Sequence, residues 1–134
     1  MRPRLLLADD HAMVAKALGK LLERVGDLLA TVTDGAQLVE RAHILRPDII
    51  VTDVNIPHVN GLDAMRQLKA GGLHSKFVFV TVHADAQLVA GALRDGASGF
   101  VFKPAAGDEL VDAIQAVVGG GTYVTPTLSR KLRR

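Results

Sequence analysis

The stretch Ile49-Ile50-Val51-Thr52-Asp53 decides how the chain is read, because an apolar, β-branched run ends abruptly in a carboxylate. Runs of this kind, nearly continuous in apolar residues, suit strands buried on both faces of a parallel sheet. Four more short runs rich in Leu, Val, Ile and Phe lie on either side of it, at residues 4–8, 28–33, 77–81 and 99–102. Segments with helical spacing separate them. Val14, Leu18, Leu21, Leu22 and Val25 fall on one helix face, and Leu110, Ile114 and Val117 repeat the pattern near the end of the chain. Asp34 and Asp85 stand where helix N-caps belong, while Gly71-Gly72, Gly96 and Gly119-Gly120-Gly121 read as helix stops. Strand and helix therefore alternate. With right-handed crossovers, the fold class expected is α/β, a single doubly wound open parallel sheet with helices on both sides.

Bulk composition agrees with one such domain. The chain has 134 residues, of which 49% are hydrophobic and 22% charged, as in a globular protein with one real core. It contains no cysteine, which excludes a disulfide scaffold and thiolate metal sites and is compatible with a reducing cytosol. Met1-Arg2-Pro3-Arg4 is a basic lead, but the apolar run after it stops at Asp9, too soon for a signal peptide. No stretch approaches the length of a membrane span, so a soluble, cytoplasmic protein without membrane contact is expected. The formal charge of +2 is too small to argue for nucleic acid. The basic end, residues 129–134, reads as a solvated linker or helix end.

In a doubly wound sheet, ligands bind beyond the carboxyl ends of the strands, so the residues that directly follow each run carry the chemistry. Here they are Asp9-Asp10, Asp53, Thr81 and Lys103-Pro104, with Thr33-Asp34 ending a strand expected at the edge. Taken singly, each has a plain reading: Asp9 or Asp10 as a helix cap, Asp53 as a turn residue, Thr81 as an ordinary strand end, Lys103 as a surface charge. Together they place three acids, a hydroxyl and an ammonium at one sheet edge. Converging carboxylates repel one another and call for a cation, and an oxygen-rich site of this kind suits Mg²⁺. Asp10 and Asp53 are the expected direct ligands, with Asp9 acting through a water and the backbone carbonyl of Asn55 completing the protein's share. A carboxylate beside a metal can also attack phosphorus to form an acyl phosphate, and Asp53 is the expected nucleophile. Lys103, Thr81 and the ion would neutralise charge on the phosphoryl oxygens.

These residues resemble the receiver family of two-component response regulators: the Asp9-Asp10 pair, Asp53-Val54-Asn55-Ile56-Pro57 followed by Gly61, Thr81, and Phe102-Lys103-Pro104. The resemblance spans residues 3 to 125. It implies the flavodoxin-like (βα)5 fold, a five-stranded sheet of order 2-1-3-4-5. It also implies a receiver domain over residues 1–125 and a basic tail or linker start over 126–134. Asp9-Asp10-His11, Leu45-Arg46-Pro47-Asp48-Ile49, Gly96-Ala97-Ser98-Gly99-Phe100 and Gly119–Pro126 resemble the NarL/FixJ branch, whose members carry a LuxR-type helix-turn-helix output domain. No such domain follows in this chain, so it is expected to be either truncated or a lone receiver.

The family's function, carried over, is a phosphorylation switch. Asp53 would take a phosphoryl group from a sensor histidine kinase in a Mg²⁺-dependent reaction, and Thr81 would then swing toward it. Phe100 would turn inward and re-form the surface around it, its simpler reading being a static core residue. The output would be transcription regulation, with a homodimer on phosphorylation and DNA contacted only through the missing domain. The chain would be no turnover enzyme. Lys103-Pro104 suggests the family's cis bond. Val82, in place of a small residue after Thr81, would crowd the path to Asp53, and Asn55 and His83 stand where hydrolysis of the acyl phosphate is often tuned. Asn60 carries no reading. His11, His43, His58, His74 and His83 lack metal-ligand spacing.

Three other functions compete. A phosphatase similar to haloacid-dehalogenase hydrolases would need Asp-x-Asp after the first strand, where this chain has adjacent acids. A dinucleotide-binding domain would need a Gly-rich turn there, which is absent. A receiver-fold interaction module that works without phosphorylation would gain support from Val82, against the complete set of acids, Thr81 and Lys103.

Overall fold

The computed structural model describes residues 2–82 and 85–126, so His83 and most of the basic tail lie outside the described residues. In chain order the elements are β1 (Arg4–Ala8), α1 (Ala12–Glu23), β2 (Asp27–Val32), α2 (Gly35–Leu45), β3 (Ile49–Thr52) and α3 (Gly61–Ala70). Then follow β4 (Lys76–Thr81), α4 (Ala86–Arg94), β5 (Gly99–Phe102), a 3₁₀ turn over Lys103–Ala105, α5 (Ala106–Val118) and β6 (Tyr123–Val124). The strands form one parallel sheet in the order β2-β1-β3-β4-β5-β6.

Strand side chains alternate between two cores, as the period of two requires. On one face Leu6, Ala8, Ile50, Phe77, Phe79 and Phe100 pack against α2, α3 and α4, whose Leu38, Met65, Leu68 and Val89 are buried there. On the other face Leu5, Leu7, Ile49, Val51, Val78, Val80 and Val101 meet Leu18 and Leu22 of α1 and Leu110, Ile114 and Val117 of α5. The three phenylalanines thus share one side of the sheet. Phe79 bridges them, its ring centroid 6.3 Å from that of Phe77 and 5.9 Å from that of Phe100.

Helix starts follow local hydrogen-bond chemistry. Asp34 accepts from the Gln37 amide and Asp85 from the Gln87 amide, both at 2.8 Å, so the two expected caps are in place. Asn60 is a third cap, accepting from the Asp63 amide at 2.9 Å. Helix α2 ends differently from the glycine stops, on Arg46 in the left-handed region at φ 46°. The Arg4 guanidinium reaches its last turn and donates to the carbonyls of Leu45 and Arg46 at 2.8 and 2.9 Å, satisfying groups a helix end leaves open.

One expectation is corrected, and one isomer that the sequence leaves open is decided. The sheet has six strands, because Tyr123–Val124 adds beside β5 through Tyr123 N–H to Ser98 O and Thr125 N–H to Phe100 O, at 3.0 and 2.9 Å. A two-residue strand after three glycines leaves no apolar run to read. The Lys103–Pro104 bond is trans, as are the other peptide bonds among the described residues. Pro104 sits in the first turn of a 3₁₀ helix, where its fixed φ fits and its missing N–H costs nothing.

Candidate functional site

Four parallel strands end at the same edge, and their terminal residues converge there. Asp9 follows β1 and is 1% exposed, Asp53 follows β3 and is 6% exposed, and Thr81, the last residue of β4, is fully buried. Thr81 pairs across the sheet with Phe102, which directly precedes Lys103. The Asp53 amide bonds to the Ala8 carbonyl at 3.2 Å, tying the end of β3 to that of β1.

Lys103 holds the acids together. Its Nζ donates to Asp53 Oδ2 at 2.8 Å and lies 2.7 Å from Asp9 Oδ2, with its side chain only 9% exposed. The contact with the buried Asp9 Oδ2 is thus a short ion pair, shielded from water on both sides. Burial pushes the Lys103 pKa down, but the hydrogen bond and charge of Asp53 and of Asp9 outweigh it, and the net shift is upward. Asp9 Oδ1 accepts from the His11 amide at 2.9 Å, and Asp53 Oδ1 accepts from the Asn55 amide at 3.1 Å.

The backbone around Asp53 is held closely. A Cβ added to Gly61 would stand 2.3 Å from the Asp53 carbonyl oxygen, so only glycine lets α3 begin this near the acid. Its amide bonds to Val54 O at 2.8 Å. On the far side of the same loop, Gly35 meets Val59, whose carbonyl oxygen would lie 1.7 Å from an added Cβ.

The remaining site residues are placed less uniformly. Asp10 is exposed and lies 3.3 Å from His11 Nδ1. Candidate ligand atoms of Asp9, His11 and Asp53 lie within 4.8 Å of one another, a group that includes His11 and leaves out Asp10. Sequence reasoning missed His11 because its distance from Asp53 along the chain hides it, and its position beside the acid pair was the available signal. Phe100 is fully buried against Phe79, so its ring already lies inside. Val82 is 57% exposed and His83 lies outside the described residues.

These residues fit a hard divalent cation. Two carboxylates, Asp9 and Asp53, face one ammonium, which leaves that cluster net negative, and their oxygens, with the exposed carboxylate of Asp10 next in the chain, suit an ion that prefers oxygen.

Residues 5–115 match the family described as response regulator receiver domain. The chain is 31% identical over 131 residues to the transcriptional regulatory protein DegU of Brevibacillus brevis, covering 96% of this chain and 56% of that protein. It is also 31% identical over 131 residues to the response regulator GacA of Pseudomonas viridiflava, covering 96% of this chain and 61% of the relative. The chain thus spans a little over half the length of the curated relatives it matches. Among solved structures, a LuxR-family two-component response regulator from Aurantimonas sp. SI85-9A1 superposes with a TM-score of 0.94 at 27% identity, over 99% of this chain and 96% of that one. The signal receiver domain of the response regulator NarL from Mycobacterium tuberculosis shares the fold, with a TM-score of 0.82 at 24% identity, over 89% of this chain and 98% of that one. With the match covering both cores and every strand end of the acidic edge, the chain belongs to the response regulator receiver domain family, alongside regulators of the LuxR type.

Proposed function

We propose that Asp53 is the phosphoryl acceptor of this receiver and that the pocket around it works with Mg²⁺. The observation that carries the reading is the Lys103 ammonium held between Asp53 Oδ2 and Asp9 Oδ2 at 2.8 and 2.7 Å. A phosphoryl group on Asp53 would bring its oxygens to that ammonium, which is already in place and mostly shielded from water. In the forward step an Asp53 oxygen forms a bond to phosphorus while the bond from phosphorus to the donor breaks, and the donor leaves with that electron pair. Thr81, buried at the end of β4, is the hydroxyl positioned to answer the new charge.

Direct ligation of the ion falls to Asp10, Asp53 and the Asn55 carbonyl, with Asp9 acting through a water. The division has a physical ground: Asp9 is occupied by Lys103 and by the His11 amide, whereas Asp10 is exposed and can turn. When bound, Mg²⁺ neutralises charge on the phosphoryl oxygens. The domain covers residues 1–125, with a basic tail or linker start over 126–134, and DNA would be contacted only through a LuxR-type output domain. A sensor histidine kinase supplies the phosphoryl group in a cytoplasmic setting, and phosphorylation favours a homodimer. Among the described residues no helix is long and apolar enough to cross a membrane. The chain catalyses at most its own phosphorylation and dephosphorylation. Phe100 is the switch aromatic, with the inward arrangement of its ring as one of two positions.

Beryllofluoride, which occupies an aspartyl-phosphate site without a chemical step, gives the test. Added with Mg²⁺, it is expected to shift backbone NMR signals around Asp53, Thr81 and Lys103 in the wild type and to leave Asp53→Asn unchanged. Identical responses from the two proteins would overturn the assignment.

A further inference from the structure

The residue that fixes the far end of β5 comes from outside the acidic edge, more than twenty positions further along the chain. Thr125 is 3% exposed although it follows a strand of only two residues. Its amide donates to the Phe100 carbonyl at 2.9 Å, which continues the ladder between β5 and β6. The next ladder donor on β5 is the Phe102 amide, and at that point it is the Thr125 side chain, through Oγ1 at 2.8 Å, that accepts. One residue therefore grips β5 at Phe100 and at Phe102, and Lys103 comes next. Without that hydroxyl the Phe102 amide would lose its acceptor at the point where the chain turns into the 3₁₀ helix.

We infer that Thr125 is a positioning residue for Lys103, and that the start of the segment leading out of the domain is thereby coupled to the phosphorylation site. The inference rests on the function proposed above. The physical argument is preorganisation. Lys103 reaches Asp53 and Asp9 together only while the end of β5 stays in line, and a frayed end lowers the fraction of molecules in that arrangement. The apparent affinity for a phosphoryl mimic falls by the same fraction. Coupling runs in both directions, so filling the site tightens the bond between Phe102 and Thr125 and holds residues 123–126 against the sheet.

Three variants separate this from a merely structural role. Thr125→Val keeps the shape and removes the acceptor, Thr125→Ser keeps the acceptor, and Tyr123→Phe removes a different anchor, the 2.8 Å hydrogen bond from the tyrosine hydroxyl to Glu109. Beryllofluoride affinity with Mg²⁺, hydrogen exchange at the Phe102 amide and stability to urea would be measured on each. Thr125→Val is expected to bind about two- to tenfold more weakly and to expose the Phe102 amide, as loss of one net hydrogen bond implies. Thr125→Ser should bind as the wild type does. Tyr123→Phe should lose stability while keeping affinity. Wild-type affinity in a folded Thr125→Val would overturn the inference, as would equal weakening in Tyr123→Phe. A wild type that does not bind beryllofluoride would instead remove the underlying function, and this inference with it.

Discussion

Lys103 is the residue on which the charge balance of the site turns. Because its pKa is raised above 10.5 in the folded protein, its ion pairs stabilise the fold fully below the unfolded value and are lost as pH rises through the folded one. The stability difference between wild type and Lys103→Met should therefore be constant from neutral pH to about pH 10 and shrink above it, as urea unfolding across that range would show. Tyr123 offers a sharper titration, since it is the single tyrosine in a chain without tryptophan. Burial, then the hydrogen bond and the charge of Glu109, push its pKa up from 10.0 to about 12. Its contribution is likewise present below pH 10 and lost toward pH 12. Tyrosinate absorbance should rise with a midpoint near 12, and Glu109→Gln should lower that midpoint only in part, because burial, the larger cause, stays. A wild-type midpoint near 10 would contradict both the burial of the ring hydroxyl and its bond to Glu109.

Elements of this domain are set by local rules that can be tested one at a time. Asn60→Ala removes the cap of α3 and should cost about 1 kcal/mol in denaturant unfolding. Gly61→Ala, one residue later, forces a Cβ onto the Asp53 carbonyl and should cost about 1 to 3 kcal/mol and slow phosphorylation, since the crowded atom belongs to the proposed acceptor. Strand and helix positions were legible because apolar runs and 3.6-residue spacing leave a direct mark. β1, β3 and β5 begin and end where the runs do, and Asp34 and Asp85 cap as read. Less legible were features made by long-range partners. The end of α2 at Arg46 depends on Arg4 from the first strand, and β6 depends on β5 for its hydrogen bonds. Neither leaves a local pattern.

At the scale of the whole molecule, the sheet gathers residues far apart in the chain into one pocket. That gathering was readable because a parallel sheet puts all its carboxyl ends on one side, so Asp9, Asp53, Thr81 and Lys103 needed only the strand assignments. What the pattern could not give was the partition of roles within the pocket. Asp9 and Asp10 are neighbours in sequence, yet the first is buried against Lys103 and the second is exposed, and His11 stands within reach of both. A site that binds Mg²⁺ only when folded also stabilises the fold, by about 2.7 kcal/mol at an ion concentration of roughly one hundred times Kd. Thermal unfolding of the wild type should move up with Mg²⁺, and a double Asp10→Asn, Asp53→Asn variant should not respond.

The most direct measurement is intact mass spectrometry of the protein treated with acetyl phosphate, with mapping of the modified residue. With Mg²⁺ present the wild type should gain one phosphoryl group, labile to hydroxylamine and located at Asp53, while the chelated sample and Asp53→Asn gain none. A phosphoryl group at another residue, or none at all on folded wild type with Mg²⁺, would contradict the account.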